Sequence, residues 1–167
     1  VQVLDGGLDA WTEAGGSLST DVPDVAEVTF TPRPQSHMVI DQVELRARLD
    51  DPDLTVVDAR AAERFRGEVE PIDPRAGHVP GAVSLPYADN LDDTGRFKTP
   101  AELWSRYAAV ARSSEIAVYC GSGVSAAHDL MALEAAGVTG ARLYPGSWSD
   151  WVSHDDAPVA LGPEDAG

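Results

Sequence analysis

Glu115-Ile116-Ala117-Val118-Tyr119-Cys120-Gly121-Ser122-Gly123-Val124-Ser125-Ala126 is the stretch on which the fold turns. Glu115 to Tyr119 reads as a strand, its last four residues an apolar run of the buried kind. Cys120 to Gly123 then makes a turn with glycine at two of its four positions. From Val124 the pattern predicts a helix to Ala136, stopped by Gly137. A strand that turns through small residues into a helix is the repeating unit of an α/β sheet. Its turn lies at the carboxyl end of the strand, where open α/β sheets carry their catalytic groups.

The same alternation continues on both sides. Val39-Ile40 is a short apolar run, and Asp41 caps a predicted helix to about Leu49. Leu54-Thr55-Val56-Val57 reads as a buried strand ending at Asp58, Ala61 to Phe65 as a short helix, and Ala82 to Leu85 as another strand. Thr99-Pro100-Ala101-Glu102 is a capping box with proline at the first helical position, opening a helix to about Arg112. Ala141 to Tyr144 supplies the last strand. That order predicts an α/β domain with a mainly parallel central sheet and helices on both faces.

The two ends of the chain resemble each other. Val3-Leu4-Asp5-Gly6-Gly7-Leu8-Asp9-Ala10-Trp11 matches Leu143-Tyr144-Pro145-Gly146-Ser147-Trp148-Ser149-Asp150-Trp151 at a constant offset of 140 residues. Both read as strand residues, a glycine turn and a short helix carrying tryptophan, as in a duplicated domain. On that reading, residues 1–16 are the tail of a preceding copy whose body is absent here. Residues 17–36, with Pro23, Pro32 and Pro34 among polar residues, are an inter-domain linker. Residues 37–160 are the catalytic domain and 161–167 a C-terminal tail.

Composition narrows the function. The formal charge of −16 would repel nucleic-acid phosphates and anionic lipid, so neither is expected as a partner. No apolar run is long enough to span a bilayer, and the first residues lack the pattern of a secretory signal. One cysteine excludes an intrachain disulfide or a multi-thiolate zinc site, and it suits a reducing, cytoplasmic setting. Four scattered histidines add no metal-binding pattern, and no cofactor is implied.

A lone cysteine is usually a small buried hydrophobe. Here its neighbours argue otherwise. The glycines around Cys120 let successive peptide N–H groups curl inward, and the helix N-terminus backs them, so the turn is predicted to cradle an anion. A Cys120 thiolate, or a persulfide on it, would be such an anion. A cysteine phosphatase also places Cys on a loop before a helix. It needs an arginine six positions on, however, and this chain has Ala126 there.

These residues carry a resemblance to a known family. Cys120-Gly121-Ser122-Gly123-Val124-Ser125-Ala126 resembles the active-site loop of rhodanese-type sulfurtransferases, closest to the 3-mercaptopyruvate branch, with Ser125 in place of threonine. The thiosulfate branch carries Arg-Lys where this chain has Gly121-Ser122. A second likeness runs through Asp58-Ala59-Arg60, Arg64-Phe65-Arg66-Gly67, Glu70-Pro71 and Gly77-His78-Val79-Pro80-Gly81-Ala82. A third is Tyr144 with Gly146-Ser147-Trp148.

The resemblance implies that Cys120 takes sulfur from a small anionic donor and passes it to a thiol, thioredoxin or cyanide. It gives Ser122 a catalytic part beside Cys120. It also makes Arg64, Arg75, Gly121, Gly123, Val124 and Ser125 substrate-binding, and it implies a missing N-terminal domain of the same protein as a partner in the site. The alternatives are thiosulfate as donor and a non-catalytic binding module. Asp58 with Arg60 reads as an internal ion pair, His78 as a structural residue, and Trp148 and Trp151 as packing.

Overall fold

The computed structural model describes residues 2–163. Four strands, β1 (Leu54–Asp58), β2 (Val83–Ser84), β3 (Glu115–Tyr119) and β4 (Arg142–Leu143), form one sheet in the order β2-β1-β3-β4. Every pairing is parallel, and β1 meets β3 in register from Leu54 opposite Glu115 to Asp58 opposite Tyr119. Six helices accompany the sheet: α1 (Gly7–Glu13), α2 (Gln42–Ala47), α3 (Ala62–Phe65), α4 (Pro100–Tyr107), α5 (Val124–Ala135) and α6 (Ser147–Ser153).

Strand alternation builds two cores. On one face Val56, Ala117 and Tyr119 meet Leu45 of α2, Phe65 of α3 and Trp148 and Trp151 of α6. On the other, Val57, Ile116 and Val118 meet Leu103 and Tyr107 of α4 and Ala132 and Leu133 of α5. The expected α/β sheet covered on both faces is the fold observed.

The caps sit where the sequence places them. Asp41 Oδ1 accepts from the Glu44 amide at 2.8 Å, and Thr99 with Glu102 closes a full capping box on α4. Helix α4 is shorter than expected, ending at Tyr107 rather than near Arg112. The chain continues as a 3₁₀ turn, Val110–Arg112, that buries Val110. Residues 17–34 carry no regular structure. Among the described residues no helix is long and apolar enough to cross a membrane.

Candidate active site

Strand β3 delivers Cys120 to the carboxyl edge of the sheet, and the turn into α5 wraps around its sulfur. The residue is 2% exposed, and the Gly123 amide donates to Sγ at 3.2 Å. Gly123 has φ +86°, and a Cβ there would sit 2.8 Å from the Pro145 carbonyl oxygen, so neither conformation nor space admits a side chain. The cradle is narrower than the sequence suggests, with one amide reaching the sulfur rather than a ring of them. The amides of Ser122, Val124 and Ser125 have no acceptor among the described residues. Ser122 and Val124 are exposed, Ser125 is half-buried, and neither serine hydroxyl has a hydrogen-bond partner among the described residues.

The carbonyls of the loop face the other way, toward α6. The Trp148 and Ser149 amides donate to the carbonyls of Cys120 and Gly121 at 2.9 and 3.0 Å. The Cys120 amide donates to Ser147 Oγ at 3.1 Å, and that hydroxyl donates to the Tyr144 carbonyl at 2.9 Å. The first turn of α6 thus holds both peptide groups of the cysteine. Ser147 stood in the sequence as part of Gly146-Ser147-Trp148, without a role.

Arg64 is brought to the loop. A Cβ on Gly121 would lie 3.4 Å from its Nη1, which has no acceptor among the described residues. The rest of the guanidinium is engaged: Nη2 donates to Glu70 Oε1 at 2.7 Å and also reaches Asp73. Burial pushes the Glu70 pKa up, but Arg64 and the Asp73 and Ile72 amides outweigh it, and the pKa ends below the usual value. Glu70 also meets Arg60 at 3.4 Å, so one carboxylate ties the two arginines together. Neither Glu70 nor Asp73 is among the residues that the resemblance makes substrate-binding.

Arg75 is not brought to the loop. Its Nη1 donates to the carbonyls of His154 and Asp155, and its Nη2 to that of Ala157 at 2.8 Å. Three residues on, His78 forms an isolated antiparallel bridge with Ala160, and Arg75 lies against residues 154–157. In this structure Arg75 ties two loops together rather than meeting the Cys120 turn.

Asp58 and Arg60 form the expected internal pair, 2.6 Å apart, with Arg60 stacked 4.5 Å from the Trp148 ring. His78 is buried, stacked on Phe65, with Nδ1 2.8 Å from the Phe65 carbonyl. Trp148 and Trp151 are fully buried. Arg66 pairs with Glu68. The cations near the site are therefore matched by carboxylates or carbonyls, save one edge of Arg64.

A family model described as the rhodanese-like domain matches residues 41–154. A Pseudomonas aeruginosa protein named "Probable 3-mercaptopyruvate sulfurtransferase" is 47% identical over 165 residues, covering 97% of this chain and 58% of that protein. The 3-mercaptopyruvate sulfurtransferase of Escherichia coli strain K12 is 33% identical over 163 residues, covering 95% of this chain and 58% of that one. An anaerobic ergothioneine biosynthesis enzyme from Chlorobium limicola, solved with trimethyl histidine, superposes with a TM-score of 0.87 at 25% identity, covering 97% of this chain and 41% of that one. The chain thus spans less than two thirds of the length of these relatives. A parallel sheet that presents one cysteine on a glycine turn, matched across the whole 41–154 stretch, leaves a plain conclusion: this chain belongs to the rhodanese-like domain family.

Proposed function

We propose that this chain carries the sulfur-accepting site of a sulfurtransferase, with Cys120 as the nucleophile. The observation that carries the reading is Cys120 Sγ under the Gly123 amide, beside three amides with no acceptor of their own. A persulfide would extend its outer, anionic sulfur toward those donors. In the first half-reaction the Cys120 thiolate attacks the donor's sulfur. The sulfur–carbon bond of mercaptopyruvate breaks, its electron pair stays on carbon, and protonation gives pyruvate. In the second, an acceptor thiolate or cyanide attacks the outer sulfur and the electron pair returns to Cys120. Splitting one transfer into two displacements is what a covalent nucleophile offers.

The charge pattern favours 3-mercaptopyruvate over thiosulfate. Thiosulfate is a dianion and gains from several cations, whereas one open edge of Arg64 suits a single carboxylate. Thioredoxin or a small thiol fits as acceptor in a reducing cytoplasm, and the upstream part of a longer protein fits as the other wall of the pocket. Ser122, exposed and two residues beyond Cys120, is the residue we assign to passing a proton to the leaving carbon.

The test is mass spectrometry of the intact protein after donor treatment. A gain of one sulfur on Cys120, lost on adding cyanide and absent from Cys120→Ser, is expected. A protein that never gains sulfur is a binding module instead. The donor assignment is tested separately: kcat/KM for mercaptopyruvate is expected to exceed that for thiosulfate, and the reverse order overturns it.

A further inference from the structure

We propose that Ser147 is a positioning residue for Cys120: its hydroxyl fixes the peptide group that aims the sulfur at the Gly123 amide. The proposal rests on the sulfur-transfer reading above and deepens it.

Ser147 has φ +54° and, among the described residues, is the only non-glycine with positive φ. A side chain in that left-handed region costs on the order of 1 kcal/mol. The molecule contains its own comparison. Offset by 140 residues, Gly7 opens α1 as Ser147 opens α6, and its φ is +59°. The residue before each differs, Gly6 being left-handed (φ +82°) and Gly146 right-handed (φ −65°), but the left-handed opening residue is glycine where no cysteine loop lies against it and serine where one does.

What the serine adds is its hydroxyl. It is fully buried, accepts from the Cys120 amide at 3.1 Å and donates to the Tyr144 carbonyl at 2.9 Å. No other acceptor serves that amide among the described residues. Without the hydroxyl the buried N–H is left unpaired, a penalty of about 1–3 kcal/mol, which the peptide relieves by rotating about its remaining tie, the Tyr119 carbonyl accepting from the Ala59 amide at 2.8 Å. Rotation there swings the Cα–Cβ bond of Cys120 and takes Sγ off Gly123. Ser147 does not itself line the loop's outer side; it acts through Cys120.

The experiment compares Ser147→Ala and Ser147→Gly with the wild type in single-turnover sulfur uptake from mercaptopyruvate by the intact protein, normalised to the folded fraction. Glycine relieves the backbone and alanine does not, but both lack the hydroxyl. Both are expected to slow uptake at saturating donor by tenfold or more, about the effect of a displaced nucleophile, with little change in the half-saturating donor concentration. Ser153→Ala, on the exposed end of the same helix, is expected to match the wild type. If Ser147→Ala does not fold, Ser147→Gly carries the test alone. Uptake within about fivefold of wild type in a folded variant, or a loss confined to half-saturation, overturns the proposal. A wild type that takes up no sulfur is a different result: it sinks the sulfur-transfer reading, and this proposal falls with it.

Discussion

Helices α1 and α6 are seven residues each, open on a left-handed residue and come from matching stretches, yet they have opposite fates. In α6, Ser147, Trp148, Trp151 and Val152 are buried, while α1 buries nothing and Trp11 is 46% exposed. The difference lies in the partners. Helix α6 packs under β3 and Tyr144 and grips the backbone of Cys120. Helix α1 meets the domain through Glu13, 3.9 Å from Arg96, and just before the helix Asp5 Oδ1 accepts from the Phe97 amide at 2.9 Å. Local pattern makes both helices, and tertiary contact decides which one matters to chemistry.

The largest way to break that comparison is to cut both tryptophans. Trp151→Ala removes a fully buried indole whose Nε1 donates to the Pro158 carbonyl at 2.8 Å, and is expected to cost about 3–5 kcal/mol in urea unfolding. Trp11→Ala is expected to cost less than about 1 kcal/mol in the same chain. Equal losses would mean that α1 is packed in solution, and the contrast would fail.

Burial also changes what polar groups do. Asp129 of α5 is wholly enclosed, bonded to Asn90 at 2.6 Å, with Tyr107, Arg106 and His128 around that pair and its Oδ2 unpaired. Burial raises its pKa from 3.8 to about 7. Between those values the native state keeps a proton that the unfolded chain has released, so stability falls as pH rises, and the loss is complete above about pH 7. Asp129→Asn is expected to remove that slope, a difference on the order of 3 kcal/mol across the window in pH-dependent unfolding. An unchanged slope would show that another group drives it.

A sharper test of the loop that α6 holds is Arg64→Lys. It keeps the charge but loses the planar fork that joins Glu70 to the edge facing Gly121. The expected loss in kcat/KM for mercaptopyruvate is about tenfold, carried by KM, with little change at saturating donor. A loss in kcat alone would give Arg64 a part in the chemistry rather than in binding.

These cases also mark how far the sequence could be read. The strand–turn–helix at 115–135, the caps at Asp41 and Thr99 and the Asp58–Arg60 pair were legible, because each is local or follows from alternation. Arg75 was not, since the carbonyls it meets belong to His154, Asp155 and Ala157, far along the chain. Glu70 and Ser147 escaped for a related reason. Each acts by holding another residue, Glu70 through the arginine side chains and Ser147 through the Cys120 peptide, and neither residue type announces that. The one visible signal was the replacement of Gly7 by Ser147 at the matching position, which means little until both φ angles are known.

The smallest effect is the one that isolates this signal. Gly7→Ser places at the start of α1 the residue that α6 carries at the matching position. A Cβ at Gly7 meets nothing within 4 Å, so the change is purely conformational at φ +59°, and the expected cost is about 1 kcal/mol or less, read from urea midpoints. No cysteine amide lies within reach of the new hydroxyl, so sulfur uptake at Cys120 is expected to stay at the wild-type rate. If Gly7→Ser is instead stabilising, a left-handed serine carries no penalty in this turn. Ser147 would then need no compensating role, and the contrast between the two helices would reduce to burial alone.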